Sequence, residues 1–297
     1  MKNNNTQNKT KVVDIHHHTL PDIYVEALKG LGHDISAWPE WTPESSLALM
    51  DSIGIDKSIL SISSPGTSDP ELARALNQYC AGLKAAHPGR FGTFAILPFP
   101  DVEASIREVD HALQGLDLDG VILFSNTGGN YLGDPEYDAI LNELNRCKAT
   151  VFVHANDRPG VEVHEGADPF VEYPTDIARS YARLVYSHVF TRFSGIRWIF
   201  ANAGGVVPFL AERIGKLHYT NGKKFLWGRI IVDLVTVRNS GLDLAKAVYY
   251  DTADACSRFT LQALRRLVEP EKILFGSNAP FTPKTTIAKS IEALAAE

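Results

Sequence analysis

Eight short apolar runs, each followed by a longer segment of helical pattern, repeat along the chain. The candidate strands are Lys11–His16, Lys57–Ser63, Phe91–Leu97, Gly120–Asn126, Thr150–Ala155, Ile196–Asn202, Ala247–Thr252 and Ile273–Asn278. Most are continuously apolar instead of alternating, the mark of strands buried on both faces by flanking helices. Between them lie helix starts such as Thr42-Pro43-Glu44, a capping hydroxyl followed by Pro at the first helical position, and Ser68-Asp69-Pro70-Glu71. Further helices are expected over 101–116, 134–147, 174–193, 206–217, 257–267 and 282–296. Eight β/α alternations imply an α/β fold, a single (β/α)8 TIM barrel, with an open doubly wound sheet as the alternative. No G-x-G-x-x-G follows the first strand, so a dinucleotide fold is disfavoured and no nucleotide cofactor is expected.

One domain, residues 11–297, accounts for the repeat. Residues 1–10, rich in Asn, Lys and Thr, are expected to form a disordered tail. Two connections are long: Gly32 to Trp41, an inserted loop after strand 1 that carries two tryptophans, and Tyr219 to Arg238. The balance of 29 basic against 35 acidic residues leaves a net charge of −6, which argues against nucleic acid or an anionic membrane surface as partner. Three scattered cysteines make neither a disulfide framework nor a Cys-type zinc site. No signal peptide or membrane span is legible, and a cytoplasmic protein is expected.

The chemistry of a (β/α)8 barrel sits at the C-terminal ends of its strands. The first strand ends in Asp14-Ile15-His16-His17-His18. Alternate residues of an extended segment share a face, so His16 and His18 point together and His17 points elsewhere. Two imidazoles on one face can chelate a divalent metal, and His154, closing the fifth strand, can complete a three-histidine set. A cluster of core histidines is the plainer reading. Where strands six and eight would ordinarily add a histidine or a carboxylate for acid–base work, this chain has Asn202 and Asn278.

The motifs Asp14-Ile15-His16-His17-His18-Thr19-Leu20-Pro21, Val153-His154, Ala203-Gly204-Gly205-Val206-Val207-Pro208-Phe209-Leu210, Tyr249-Tyr250-Asp251-Thr252-Ala253 and Leu274-Phe275-Gly276-Ser277 occur in this order over nearly the whole chain. On them the sequence resembles the amidohydrolase superfamily, in its aminocarboxymuconate-semialdehyde decarboxylase branch, nearest to 6-methylsalicylate decarboxylase-like proteins. The resemblance implies an amidohydrolase-like barrel and a divalent metal, zinc or manganese, held by His16, His18, His154 and the residue at 278. The family has Asp at 278, and at 202 a His that serves as proton donor or water activator. Asn cannot donate and recover a proton near neutral pH, while its carbonyl oxygen can still ligate a metal. Members of the family are commonly dimeric, so a homodimer is expected.

Three readings follow. The first is a carbon–carbon lyase that decarboxylates a small aromatic or polyketide-derived acid with a changed acid–base set. The second is an enzyme of altered chemistry (a hydrolase, hydratase or cyclase) with weak or no metal, and the third is an inactive ligand-binding homologue. Site residues expected under the first are Asn202, Asn278 and Asp14 for catalysis, with Asp14 orienting a ligand histidine. Trp38, Trp41, Asn126 and Arg179 are expected for substrate, with loop anchoring and local ion pairs as the plainer roles. His164 and His188 are weaker candidate proton sources.

Overall fold

A computed structural model of the protein describes residues 11–160, 168–220 and 241–296. The expected tail, His164 and most of the long 219–238 connection lie outside the described residues. Eight parallel strands form one sheet in chain order: β1 (Val13–Thr19), β2 (Lys57–Ile62), β3 (Phe91–Ala95), β4 (Gly120–Phe124), β5 (Thr150–His154), β6 (Arg197–Phe200), β7 (Tyr249–Asp251) and β8 (Ile273–Leu274). The ring closes where Ile15 donates to Phe275 O, Asn278 N to His16 O and His18 N to Ala279 O, at 2.9, 2.9 and 2.7 Å. The chain is thus a TIM barrel, as its rhythm predicts. All eight expected strands are present.

Local chemistry explains the helices that begin where expected. The helix Pro43–Ile53 starts at a capping box in which Thr42 Oγ1 accepts from Ser45 N and Ser45 Oγ accepts from Thr42 N. Asp69 caps Pro70–Ala86 by accepting from Glu71 N at 2.8 Å. Other boundaries move. β1 runs on through all three histidines to Thr19, because closure against the 275–279 segment gives its end a second partner. The expected 174–193 helix is two, Tyr173–Tyr186 and Val189–Arg192, separated at His188, whose φ of 58° a helix cannot continue through. After β4 the chain turns back in a two-residue ribbon, Asn126–Thr127 against Asn130–Tyr131.

The main core lies between strands and helices and includes Phe94, Val121, Phe152, Tyr181, Phe200 and Tyr250. A second apolar cluster, with Leu20, Trp41, Met50, Leu60, Ala279 and Ile287, packs beside the closure of β1 on the 275–279 segment. Between them these clusters fix the C-terminal ends of β1, β5 and β8 relative to one another. No helix among the described residues is long and apolar enough to cross a membrane.

Candidate metal centre and active site

The pleat of β1 separates its histidines. His16 and His18 turn inward, and their Nε2 atoms lie 3.1 Å apart. His154, at the end of β5, joins them, its ring 4.9 Å from His16 and 5.0 Å from His18 by centroid. One nitrogen from each of the three lies within 4.8 Å of the others, and all three side chains are buried.

Tautomers follow from the partners. His16 Nδ1 lies 2.9 Å from Asp251 Oδ2, and His154 Nδ1 lies 2.7 Å from Ala155 O. Ionised carboxylates and carbonyls only accept, so both Nδ1 atoms carry hydrogen and both Nε2 atoms present lone pairs inward. Two nitrogens bound to one ion at about 2.1 Å, with bonds 95–110° apart, would lie roughly 3.1–3.4 Å from each other, which the His16–His18 separation matches. The three imidazoles therefore fit a divalent cation.

The electrostatics suit ligation. Burial, then the charges of His16, His154 and His17, hold His18 well below the ordinary histidine pKa. Burial, then the charge of His16, pulls His154 down to about 3. Burial also opposes the charged form of His16, but the charge and hydrogen bond of Asp251, with Asp14 and Asp254 behind them, outweigh it and leave its pKa raised. Any proton the cluster takes up is favoured on His16 and opposed on His18 and His154. A cation at the same place displaces it.

His17 faces the other way. Its Nδ1–H donates to Asp14 Oδ2 at 3.1 Å, and its Nε2 accepts from Ser46 Oγ at 2.9 Å. Ser46 Oγ in turn accepts from Trp41 Nε1 at 2.8 Å. Asp14, expected to orient a ligand histidine, instead accepts from His16 N and from the backbone and hydroxyl of Ser277. It braces β1 against the segment after β8, and the carboxylate on the His16 ring is Asp251.

The loop after β7 organises the site. Asp251 Oδ1 accepts from Asn202 N at 3.1 Å and Ala253 N at 2.7 Å while Oδ2 holds His16. Ala253 O accepts from Asn202 Nδ2 at 2.9 Å, and Asp254 Oδ2 from Asn278 Nδ2 at 2.6 Å. Asn202 and Asn278 sit in left-handed backbone, φ 53° and 54°, which Asn tolerates better than most residues. Beyond Asn202 the chain presses on its neighbour: a Cβ on Gly205 would stand 1.9 Å from Pro174 O.

Over the histidines opens a cavity of about 510 Å³, lined by His18, His154, Asn202, Asp254 and Asn278 at its floor and by Trp38, Phe170, Tyr173 and Phe281 among its walls. Phe281 meets the His18 and Trp38 rings edge to face at 5.5 and 5.6 Å. The two tryptophans of the inserted loop divide their roles: Trp38 is cavity wall, whereas Trp41 is buried in the second cluster and bonds to Ser46. Asn126 and Arg179 stand apart from the cavity lining. Asn126 Nδ2 donates to the buried Asp176, which also accepts from Ser125 and Tyr131, and Arg179 lies 3.5 Å from Glu172 and 3.8 Å from Asp176. That network ties the turn after β4 to the helix Tyr173–Tyr186. Asp254 and Phe281 escaped the sequence reading. Their one signal was position, just past the ends of β7 and β8.

The amidohydrolase family profile matches residues 13–297. The chain is 35% identical over 304 residues to decarboxylase yanB of Aspergillus niger, covering 94% of this chain and 80% of that protein. It is 33% identical to 6-methylsalicylic acid decarboxylase acuB of Aspergillus aculeatus, covering 93% and 86%. Among solved structures, an amidohydrolase II superposes with a TM-score of 0.85 at 29% identity over 97% of this chain and 93% of that one. A dihydroxybenzoic acid decarboxylase from Polaromonas sp. JS666, with bound manganese and 2-nitroresorcinol, shares the fold at a TM-score of 0.75 and 20% identity, covering 95% and 90%.

Proposed function

The chain belongs to the amidohydrolase family, and on that premise we propose that it is a metal-dependent carbon–carbon lyase that removes the carboxyl group of a small aromatic acid, of the 6-methylsalicylate or resorcylate kind. The observation that carries this reading is the set of three inward-facing imidazoles beneath a cavity walled by aromatic rings. Its size suits one substituted benzoate, since ligand cavities commonly measure about 300–1,000 Å³.

His16, His18 and His154 would hold the cation, zinc or manganese, with Asn278 Oδ1 as a neutral fourth ligand. When bound, the cation supplies positive charge for the substrate carboxylate and for the negative charge that develops as the carbon–carbon bond breaks. The protein does the rest. Asp251 keeps the His16 Nε2 lone pair inward. Trp38 and Phe281 offer ring edges and faces to an aromatic substrate. Decarboxylation requires a proton on the ring carbon that loses carbon dioxide, and the amides of Asn202 and Asn278 do not titrate near neutral pH and so cannot deliver it as general acids. Apart from the ligand imidazoles, the ionisable groups on the described cavity wall are Asp254 and Tyr173.

The experiment is product analysis with 6-methylsalicylate and 2,6-dihydroxybenzoate, on protein purified without chelator and assayed by elemental analysis. About one transition metal per chain with release of carbon dioxide supports the reading. No metal under metal-replete conditions would overturn it. The two asparagines favour a second reading, a ligand-binding homologue with little turnover. Binding of these acids without carbon dioxide release, and its appearance in the Asn202→His/Asn278→Asp double variant, would decide for it.

A further inference from the structure

Asn278 and Asp254 form a pair whose chemistry constrains the cation site. Asn278 Nδ2 lies 2.6 Å from Asp254 Oδ2, and Thr282 Oγ1 donates to Oδ1 of the same carboxylate at 2.7 Å. A carboxylate only accepts, so the edge of the amide that faces it is the NH2 edge. The backbone of Asn278 is held as firmly. Its N–H donates to His16 O at 2.9 Å, and its carbonyl accepts from Phe281 N and Thr282 N at 2.9 and 3.1 Å. With Nδ2 committed to Asp254, Oδ1 is the side-chain atom that retains lone pairs for a cation, and Asn278 lines the cavity with His18 and His154.

Charge gives a second reason for the pair. Three neutral imidazoles and an amide bring no negative charge to a divalent cation, so a site with Asn at 278 is one unit more positive than one with a carboxylate there. Asp254 lines the same cavity and stands in hydrogen-bond contact with Asn278, so it returns that unit from immediately behind the ligand. It does so without belonging to the three-imidazole group itself. A carboxylate at 278 would instead face Asp254 at hydrogen-bond distance, where two like charges oppose each other.

We propose that Asp254 is the positioning carboxylate of the cation site, holding the Asn278 amide so that Oδ1 is the atom offered to the cation and supplying the negative charge that the ligands lack. This rests on the metal reading given above and goes beyond it by assigning Asp254, which lies outside the three-imidazole group, a role exerted through Asn278. Asp254 is solvent-exposed, so its replacement removes no core contact, and its left-handed backbone, φ 50°, suits Asn better than Leu.

The test is calorimetric titration of chelator-stripped protein with Mn(II) and, separately, Zn(II), in the absence of substrate. The variants are Asp254→Asn, Asp254→Leu, Asn278→Ala and the Asp254→Leu/Asn278→Ala double, each checked by circular dichroism and Tm. Loss of an outer hydrogen-bond partner of this kind costs about 10- to 100-fold in metal affinity. Asp254→Leu is expected in that range and Asp254→Asn, which keeps a hydrogen bond but not the charge, near its lower end. The loss caused by Asp254→Leu should shrink in the Asn278→Ala background, where no amide is left to position. Unchanged affinity in both Asp254 variants, or an equal loss in both backgrounds, overturns the proposal while leaving the metal reading intact. Wild-type protein that binds neither ion overturns both. An Asn278→Asp variant that is less stable without metal than the Asp254→Asn/Asn278→Asp exchange would support the charge argument, and equal stability would count against it.

Discussion

Replacing Asp251 by Asn changes one atom in a fully buried carboxylate that accepts three hydrogen bonds, from His16 Nδ1, Asn202 N and Ala253 N. The amide oxygen of the variant can keep both backbone donors, because these share Oδ1 in the parent. Its NH2 group must then occupy the Oδ2 position, 2.9 Å from His16 Nδ1. Two N–H groups cannot face each other there, so the imidazole proton moves to Nε2, and Nδ1 accepts. That step removes the lone pair aimed at the cation site without removing the ring. Outer-partner losses at metal-binding histidines cost about 10- to 100-fold in affinity, or roughly 1.4–2.7 kcal/mol. A tautomeric block belongs at the upper end. Calorimetric titration of stripped protein with Mn(II) measures the affinity, and nitrogen-15 NMR of the imidazoles reports which ring nitrogen of His16 is protonated. Asp251→Asn binding Mn(II) within about threefold of the parent, or His16 retaining Nδ1–H, would refute the reasoning.

Other consequences are as specific. Folded His154 stays neutral down to about pH 3, whereas the unfolded chain protonates it near 6.5. Its contribution is therefore complete above pH 6.5 and is lost as pH falls below it, at about 1.4 kcal/mol per unit. His18 acts in the same sense, whereas raised His16 contributes fully below pH 6.5 and loses that contribution as pH rises through its folded pKa. Urea unfolding of stripped protein should show a stability slope below pH 6.5 that His154→Gln makes shallower by about one proton; an unchanged slope counts against the buried neutral ring. Mn(II) affinity should fall by up to about tenfold per unit once pH drops below the raised pKa of His16, because the ion must displace a proton there. Trp38→Ala should weaken binding of an aromatic acid by roughly tenfold, read as a higher Kd with metal content unchanged. Trp41→Phe should cost about 1 kcal/mol of stability through the lost Ser46 bond and leave metal affinity alone. Gly205→Ala should destabilise by about 3 kcal/mol or more in thermal unfolding, since both its φ and its contact with Pro174 O forbid a side chain.

The barrel was legible because its signal is local and repeated. Continuous apolar runs such as Gly120–Phe124 and Thr150–His154 read as buried parallel strands without reference to any partner. Capping chemistry at Thr42 and Asp69 likewise lies within a few residues. The two-residue period of β1 sufficed to separate His16 and His18 from His17. Boundaries were less legible where tertiary contacts extend or break an element, as at the end of β1 and at His188.

Sequence alone determined the ingredients: eight strands whose C-terminal ends carry His16, His18, His154, Asn202 and Asn278. Tertiary structure decided how they are oriented. Asp251 lies 235 residues from His16 yet sets its tautomer. Asp254 commits the Asn278 amide, and Ser46 bonds His17 and Trp41 away from the cavity. Spacing along one strand reports which face a side chain takes. Which ring nitrogen keeps its lone pair, and which edge of an amide stays free, depend on acceptors brought up by other strands, and only the closed barrel assembles those.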